Sequence, residues 1–97
     1  MSRRRYEKRF RFCVFPGYNW CGPGCSGPGA PVNEVDAACK AHDDCYRVSS
    51  KYCECDYEFL RRLHPLINPN TRMGRQASLL YNYMKFQILL NCGFYRK

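Results

Sequence analysis

A histidine and a carboxylate stand side by side between two cysteines, in the segment that reads CKAHDDCY from Cys39 to Tyr46. Histidine can accept a proton near neutral pH, and a carboxylate is a ligand that hard cations prefer. Neighbouring residues of a helix point about 100° apart, so His42 and Asp43 must face different partners. The pair therefore predicts a base and a metal ligand that serve one reaction from two directions.

A glycine-rich loop lies before this segment and reads WCGPGC from Trp20 to Cys25. Glycine has no side chain to restrict the backbone, so Gly22 and Gly24 can turn their carbonyl groups inward. Carbonyl oxygens together with the carboxylate of Asp43 form the oxygen-rich shell that calcium prefers, whereas zinc would select the histidine. We expect a calcium site between the loop and Asp43.

A second carboxylate, Asp56, follows Cys55 at the start of another helical stretch. A carboxylate that holds one ring nitrogen of a histidine leaves the other nitrogen free to take a proton from water. No activated serine is evident, and eight paired cysteines would leave no free thiol. Water activated by His42, with the ion polarising a carbonyl group, predicts hydrolysis without an acyl-enzyme.

Three helices should position these groups. They are predicted over residues 34–48, 51–63 and 72–91. Asn33 is a favoured N-cap for the first helix. Pro65 disfavours helix at His64 and should end the second helix. Gly93 stands where the third helix should have its C-terminal cap.

Apolar residues recur at helical spacing and mark the faces that we expect to be buried. These are Val35, Ala38, Cys39, His42, Cys45 and Tyr46 on the first helix, Cys55, Phe59, Leu60 and Leu63 on the second, and Leu79, Leu80, Tyr83, Met84, Gln87 and Ile88 on the third. The first two helices are joined by so short a turn that they must lie antiparallel. Cys45 and Cys55 are then placed for a disulfide that sets His42 and Asp56 face to face. The predicted fold class is mainly α.

Eight cysteines in 97 residues indicate one small domain that disulfides hold together. Zinc is the rival interpretation, but the cysteine spacings do not repeat as CxxC pairs. Disulfides favour a secreted or otherwise oxidising location, although the N-terminus shows no hydrophobic signal region. We expect residues 1–97 to form a single domain in which residues 1–12 are a basic arm.

The formal net charge is +8, and much of it lies in the first eleven residues. A basic surface favours anionic lipid headgroups or nucleic acid, and a solvated terminus with no partner is the plain alternative. No RNA-binding signature follows, so we predict no nucleic-acid partner. The expected partner is an anionic phospholipid membrane surface.

The site segments resemble the secreted phospholipase A2 family. WCGPG, from Trp20 to Gly24, is similar to the X-C-G-x-G calcium loop of that family, and CKAHDDCY is similar to its C-x-x-H-D-x-C-x signature. PVNEVDAA, from Pro31 to Ala38, also resembles the phospholipase A2 region of parvovirus capsid proteins. The resemblance covers about residues 18–60. It implies calcium-dependent hydrolysis of the sn-2 ester of glycerophospholipids, which releases a fatty acid and a lysophospholipid.

The resemblance also implies a role for each matching residue. His42 would be the general base, Asp56 would orient it, and Tyr46 would hydrogen-bond to Asp56. The N–H of Gly22 would help to hold the oxyanion. The calcium ligands would be Asp43 and the main-chain oxygens of Trp20, Gly22 and Gly24.

Two disulfides follow from the same resemblance, Cys21–Cys39 between the loop and the first helix and Cys45–Cys55 between the first two helices. For the other four cysteines we expect Cys13–Cys25, because this pair brackets the loop. We expect Cys53–Cys92 because it would pin the third helix.

The chain departs from the larger secreted enzymes in two ways. Only six residues separate Tyr46 from Cys53, so no β-wing fits, and the second tyrosine that supports the dyad must be replaced. Tyr52 and Tyr83 are the candidates. The N-terminal amphipathic helix is also absent. Several apolar residues near the N-terminus could instead form a rim against lipid, and burial in the core is the alternative for them. They are Phe10, Phe12, Val14, Phe15, Tyr18 and Trp20.

Two other functions fit parts of the sequence. A phospholipase-like module could bind membranes or a receptor without turnover, although His42, Asp43, Asp56 and the loop are all present. A cationic membrane-disrupting protein would need only the charge and the disulfides, and it would leave the glycine-rich loop unexplained.

Overall fold

The computed structural model describes residues 12–92, which form three α-helices after an irregular N-terminal segment. Helix α1 spans Glu34–Val48, α2 spans Tyr52–Leu63 and α3 spans Arg72–Asn91, with a 3₁₀ turn at His64–Leu66. Residues 12–92 contain no strand, and the predicted mainly α fold is confirmed. None of the helices in this range is long and apolar enough to cross a membrane. The predicted arm, apart from Phe12, and the predicted cap Gly93 lie outside the described residues.

The helix ends follow the local sequence. Asn33 is extended, and its side-chain oxygen accepts a hydrogen bond of 2.8 Å from the N–H of Asp36, as expected of an N-cap. Helix α2 ends before Pro65, again as predicted. His64 nevertheless keeps helical backbone angles and opens the 3₁₀ turn, so the proline changes the type of helix rather than breaking the chain direction.

All eight cysteines are paired, and the four predicted pairings are confirmed. Cys13–Cys25 joins the end of the glycine-rich loop to the segment before it, and Cys21–Cys39 ties the loop to α1. Cys45–Cys55 joins α1 to α2, and Cys53–Cys92 joins α2 to the end of α3. Each such bridge typically contributes about 2–4 kcal/mol. A chain of this size buries only a small core, so these crosslinks supply much of its rigidity.

The core lies where the irregular segment meets the helices. Val35 of α1, Leu63 of α2 and Ala77 of α3 are fully buried at its centre. Phe15 and Tyr18 join them with only 8% and 6% of their surface exposed. These two aromatic residues therefore belong to the core, and the expectation that they form a rim against lipid is wrong for them.

Helix α3 packs on a face that coincides only in part with the one predicted. Ile88 is buried as expected, and Leu80, Met84 and Gln87 are half-buried. Leu79 and Tyr83, however, are 63% and 60% exposed. The helix carries apolar residues on more than one face, so their spacing does not identify the side that packs. Fully buried Ala77, which the pattern did not select, marks that side.

Candidate active site

His42 and Asp56 meet across the α1–α2 pair. The Nε2 atom of His42 lies 2.7 Å from Oδ1 of Asp56, and the carboxylate is buried. Tyr46, one turn further along α1, donates its hydroxyl hydrogen to the same oxygen at 2.7 Å. The Cys45–Cys55 disulfide lies beside all three residues and fixes the spacing of the two helices.

The contact with Asp56 decides which nitrogen of His42 is available for chemistry. A carboxylate oxygen only accepts hydrogen bonds, so Nε2 carries the hydrogen and Nδ1 keeps its lone pair. The ring cannot easily turn, because Phe59 stacks on it with centroids 4.6 Å apart and Tyr46 packs at 4.5 Å. The imidazole is therefore held in one tautomer and one orientation.

Tyr46 remains a hydrogen-bond donor over the whole working range of pH. Burial raises the pKa of its hydroxyl well above the ordinary value, and the hydrogen bond to Asp56 raises it further. Of the two tyrosines considered as additional supports, Tyr52 stacks on Tyr46 with centroids 4.7 Å apart. Within residues 12–92, neither Tyr52 nor Tyr83 hydrogen-bonds to Asp56.

A cavity of about 490 Å³ opens between the glycine-rich loop, α1 and α3. Four of the predicted site residues line it, namely Trp20, Gly22, His42 and Asp43. Much of the rest of its wall is apolar, with contributions from Val14, Phe15, Phe59, Leu80, Tyr83 and Met84. The structure does not place Asp56, Tyr46 or Gly24 on the cavity wall. Asp56 and Tyr46 contact His42 from behind, and Gly24 is exposed at the far end of the loop.

Asp43 lies on the cavity wall one residue after His42, as the helix turn requires. Burial raises the pKa of its carboxyl to about 6, His42 opposes the shift, and the neighbouring charge of Asp44 adds to it. A carboxylate that is drawn out of water in this way gains most from a nearby cation. The position suits a metal ligand better than a solvated surface charge.

Two carbonyl groups of the glycine-rich loop are paired with the segment that precedes it. Those of Cys21 and Pro23 accept hydrogen bonds from the N–H groups of Val14 and Phe12, at 2.8 and 2.9 Å. Phe12 is therefore paired with the loop rather than part of a free arm. Trp20, Gly22 and Gly24, the three residues predicted to supply main-chain oxygens, take no part in this pairing.

Gly22 cannot be replaced without disturbing this pairing. Its φ of 132° is unfavourable for residues with a side chain. An added Cβ would also lie 2.1 Å from the carbonyl oxygen of Phe12 and 2.8 Å from the nitrogen of Val14. The Gly22 carbonyl accepts a hydrogen bond from Cys25 at 3.0 Å, which uses one of its two lone pairs. Its N–H donates to no group in residues 12–92.

Asp36 is a site residue that the sequence analysis missed. Its side chain is completely buried and accepts three backbone N–H groups: Oδ1 from Trp20 at 2.8 Å, and Oδ2 from Asn19 at 3.1 Å and Val32 at 3.0 Å. Two of these donors belong to the start of the glycine-rich loop. A single carboxylate on α1 thus fixes the backbone that presents the Trp20 carbonyl.

One signal in the sequence could have identified Asp36. It precedes Cys39 by three residues, so both side chains lie on the same face of α1. Cys39 was already expected to bind the loop through its disulfide. A carboxylate on that face has the loop backbone within reach.

The residues around Asp43 fit a calcium ion. Residues 12–92 contain no cluster of three or more His, Cys, Asp or Glu side chains that could hold a metal. The donor set would instead be one carboxylate with main-chain oxygens, which are the hard ligands that calcium accepts. Within the described range, the carbonyl of Trp20, which lines the cavity together with Asp43, accepts no hydrogen bond. The carbonyl of Gly24 also accepts none, but Gly24 does not line the cavity.

Comparison with known proteins agrees with this geometry. A family described as "Phospholipase A2-like domain" matches residues 11–65. A basic phospholipase A2 of Micrurus corallinus is 53% identical over 36 residues, which are 37% of this chain and 23% of that protein. The acidic phospholipase A2 homolog taipoxin gamma chain of Oxyuranus scutellatus scutellatus is 44% identical over 36 residues, 37% of this chain and 22% of that protein. The chain thus aligns with less than a quarter of each relative. No solved structure matches significantly.

Proposed function

We propose that this chain, which belongs to the phospholipase A2-like domain family, is a calcium-dependent phospholipase A2. It would hydrolyse the sn-2 ester of glycerophospholipids to a fatty acid and a lysophospholipid. One observation carries the proposal: the cavity that His42 enters, with Asp56 on its far nitrogen, is also lined by Asp43 and Gly22. The proposed base, metal ligand and oxyanion donor therefore line one cavity.

The reaction begins with a water molecule at His42. Nδ1, whose lone pair is free, takes a proton from the water as its oxygen bonds to the ester carbonyl carbon. The imidazole then carries a positive charge, which the buried carboxylate of Asp56 stabilises through Nε2. Tyr46 donates a hydrogen bond to the same carboxylate oxygen and helps to keep it directed at the ring.

The tetrahedral oxyanion is the next species to be stabilised. The N–H of Gly22 can donate to it, because this group has no competing acceptor among the described residues. Calcium held by Asp43 and the main-chain oxygens would supply positive charge to the substrate phosphate and to the same oxyanion. When the intermediate collapses, the lysophospholipid oxygen leaves and takes the proton from Nδ1. The apolar wall of the cavity provides a surface for acyl chains.

An extracellular or otherwise oxidising location belongs to the same proposal. Four disulfides among eight cysteines persist only where thiols are not kept reduced. Calcium is also abundant enough outside cells to occupy a weak site of one carboxylate and a few carbonyls.

Fatty-acid release from phospholipid vesicles, with calcium or with a chelator, tests the function. The intact chain should release fatty acid only with calcium. His42→Gln should lower the rate by at least about a hundredfold, because it removes the general base while leaving the disulfides in place. Release that continues in chelator or in His42→Gln would refute the proposal.

Vesicle leakage measured on the same samples separates the alternative functions. Equal leakage from the intact chain and from His42→Gln, without fatty-acid release, would favour membrane disruption by a cationic protein. Vesicle binding with neither leakage nor release would favour a non-catalytic module.

A further inference from the structure

Helix α3 carries a second apolar face that points away from the protein. Leu79, Tyr83, Phe86 and Leu90 recur at spacings of four, three and four residues, so they form one line along the helix. Their exposed fractions are 63%, 60%, 56% and 63%. These four residues are named the α3 stripe.

The α3 stripe lies opposite the side of the helix that packs on the core. Ile88, which is buried, lies about 160° around the helix from Leu90. A helix with apolar residues on two opposite faces uses one face for the core and has a second that is costly to leave in water. The exposed face therefore requires an apolar partner.

The α3 stripe is continuous with the mouth of the cavity. Leu79 and Tyr83 are highly exposed and also line the cavity that contains His42. Val14, on the loop side of the same cavity, is 42% exposed, and Phe12 beside it is 61% exposed. An apolar surface thus begins at both sides of the mouth and extends along α3.

Basic residues extend the α3 stripe at its N-terminal end. Arg72 and Arg75 precede Leu79 by seven and four residues, so they continue the same line, and both are exposed. Helix α3 contains no acidic residue. Arginine followed by Leu, Tyr and Phe on one exposed face is the arrangement found in helices that lie at the surface of anionic membranes.

We propose that the α3 stripe seats the protein on an anionic phospholipid surface with the cavity mouth turned toward the lipid. The inference rests on the proposed function, because it names the surface from which that reaction would draw its substrate. A phospholipid could then move from the membrane into the cavity along a continuous apolar path.

Phe86 and Leu90 allow the test because they do not line the cavity. Binding to phosphatidylglycerol vesicles would be measured by co-sedimentation in a His42→Gln background, so that hydrolysis cannot change the lipid. Leu90→Ser should weaken the partition coefficient by about fivefold, and Phe86→Ser combined with Leu90→Ser by about tenfold or more. The loss should persist in high salt, which screens the arginines but not the apolar contact.

Leu89→Ser is the matched control. Leu89 is also highly exposed, at 58%, but it points about 100° away from Leu90. Its substitution should change partition by less than about twofold. In chains that retain His42, hydrolysis of a short-chain phospholipid dispersed as monomers should be unchanged by Phe86→Ser with Leu90→Ser, since no membrane is involved.

Three results would overturn the inference. These are unchanged vesicle binding in the double variant, an equal loss in Leu89→Ser, or sedimentation showing a dimer that needs the α3 stripe while vesicle binding does not. Failure of the proposed function would look different. An intact chain that hydrolyses no phospholipid would refute the function, whereas stripe-dependent binding in the His42→Gln background would still support this inference.

Discussion

The helix pair and the glycine-rich loop hold their parts of the candidate site in different ways. On the helix pair, His42, Asp56 and Tyr46 contact one another through side chains, and regular helix geometry with one disulfide sets their distances. In the loop, the groups proposed to bind calcium are main-chain atoms. Their position depends on a distant buried carboxylate, Asp36, and on two disulfides.

The two regions should therefore respond differently to substitution. A change in the helix pair removes one side-chain contact, and the helices around it remain intact. A change at Asp36 leaves half-buried N–H groups of Asn19 and Trp20 without their acceptor, which costs more than a lost surface contact. Substitutions in the loop anchor should therefore affect stability and calcium binding together, and substitutions among His42, Asp56 and Tyr46 should mainly affect the rate.

Asp36→Asn should have the largest effect on stability. The amide of asparagine has one oxygen and one NH₂ group in place of two oxygens. The NH₂ group would face a backbone N–H that now donates to a carboxylate oxygen, and two donors cannot pair. The free energy of unfolding should fall by about 2 kcal/mol or more, and calcium binding should weaken with it. Urea denaturation and calcium titration of the same variant measure both quantities.

The matched control for Asp36→Asn is Asp44→Asn on the same helix. Asp44 is paired at the surface with Lys40 and Arg47, and hydrogen bonds from them, Lys40 first, lower the pKa of its carboxyl. Surface ion pairs contribute little to stability, so the urea concentration at which half of this variant is unfolded should be close to that of the native chain. If both variants unfolded at the same concentration, Asp36 would not be the anchor of the loop.

Tyr46→Phe should have an intermediate effect that is confined to the helix pair. The substitution removes the hydrogen bond to Asp56 but keeps the ring that packs on His42. We expect a loss of about 1 kcal/mol in stability and a fall in rate of less than about tenfold, with unchanged calcium affinity. Tyr52→Phe is the control, because Tyr52 stacks on Tyr46 and its hydroxyl donates no hydrogen bond within residues 12–92. Weaker calcium binding in Tyr46→Phe would contradict the separation of the two regions.

Asp43→Asn should have the smallest effect on stability, and in the opposite direction. Folding raises the pKa of Asp43 from 3.8 to about 6, so between these values the folded protein holds a proton that the unfolded chain has released. In chelator, stability should therefore fall as pH rises through this window, and the variant should lack that fall. At pH 7 it should be more stable than the native chain by about 1 kcal/mol or less, after allowance for solvent screening.

Calcium should make the native chain more stable than Asp43→Asn, which reverses the order of stability expected in chelator. Added calcium should raise the unfolding temperature of the native chain and leave Asp43→Asn unchanged, because the variant has lost the charged ligand. Thermal unfolding with calcium and with chelator provides both comparisons. A variant that is less stable than the native chain in chelator would show that Asp43 has a structural role.

Most of the helix pair could be predicted from the sequence, because its geometry repeats. Helical spacing gave most of the faces of α1 and α2, although Tyr46, predicted to be buried, is 39% exposed. Asn33 gave the first N-cap, and the short connection placed Cys45 near Cys55. The contact between His42 and Asp56 follows from these regularities. The catalytic roles given to these residues remain predictions.

The loop and α3 were harder to predict for physical reasons. The partners of Asp36 lie 16 and 17 residues earlier in a segment with no periodicity, so no spacing rule connects them. In α3, apolar residues cover opposite faces, and the pattern selected exposed Leu79 and Tyr83 in place of buried Ala77. Only packing against the rest of the chain decides which face of such a helix is buried.

Calcium titration followed by both calorimetry and fatty-acid release tests the central claim most directly. The claim is that His42 with Asp56 and a calcium ion at Asp43 act in one cavity on one ester. In the native chain, calcium binding and fatty-acid release should rise over the same concentration range, and His42→Gln should bind calcium equally well yet release no fatty acid. Release that does not follow calcium occupancy, or that survives in His42→Gln, would contradict the account.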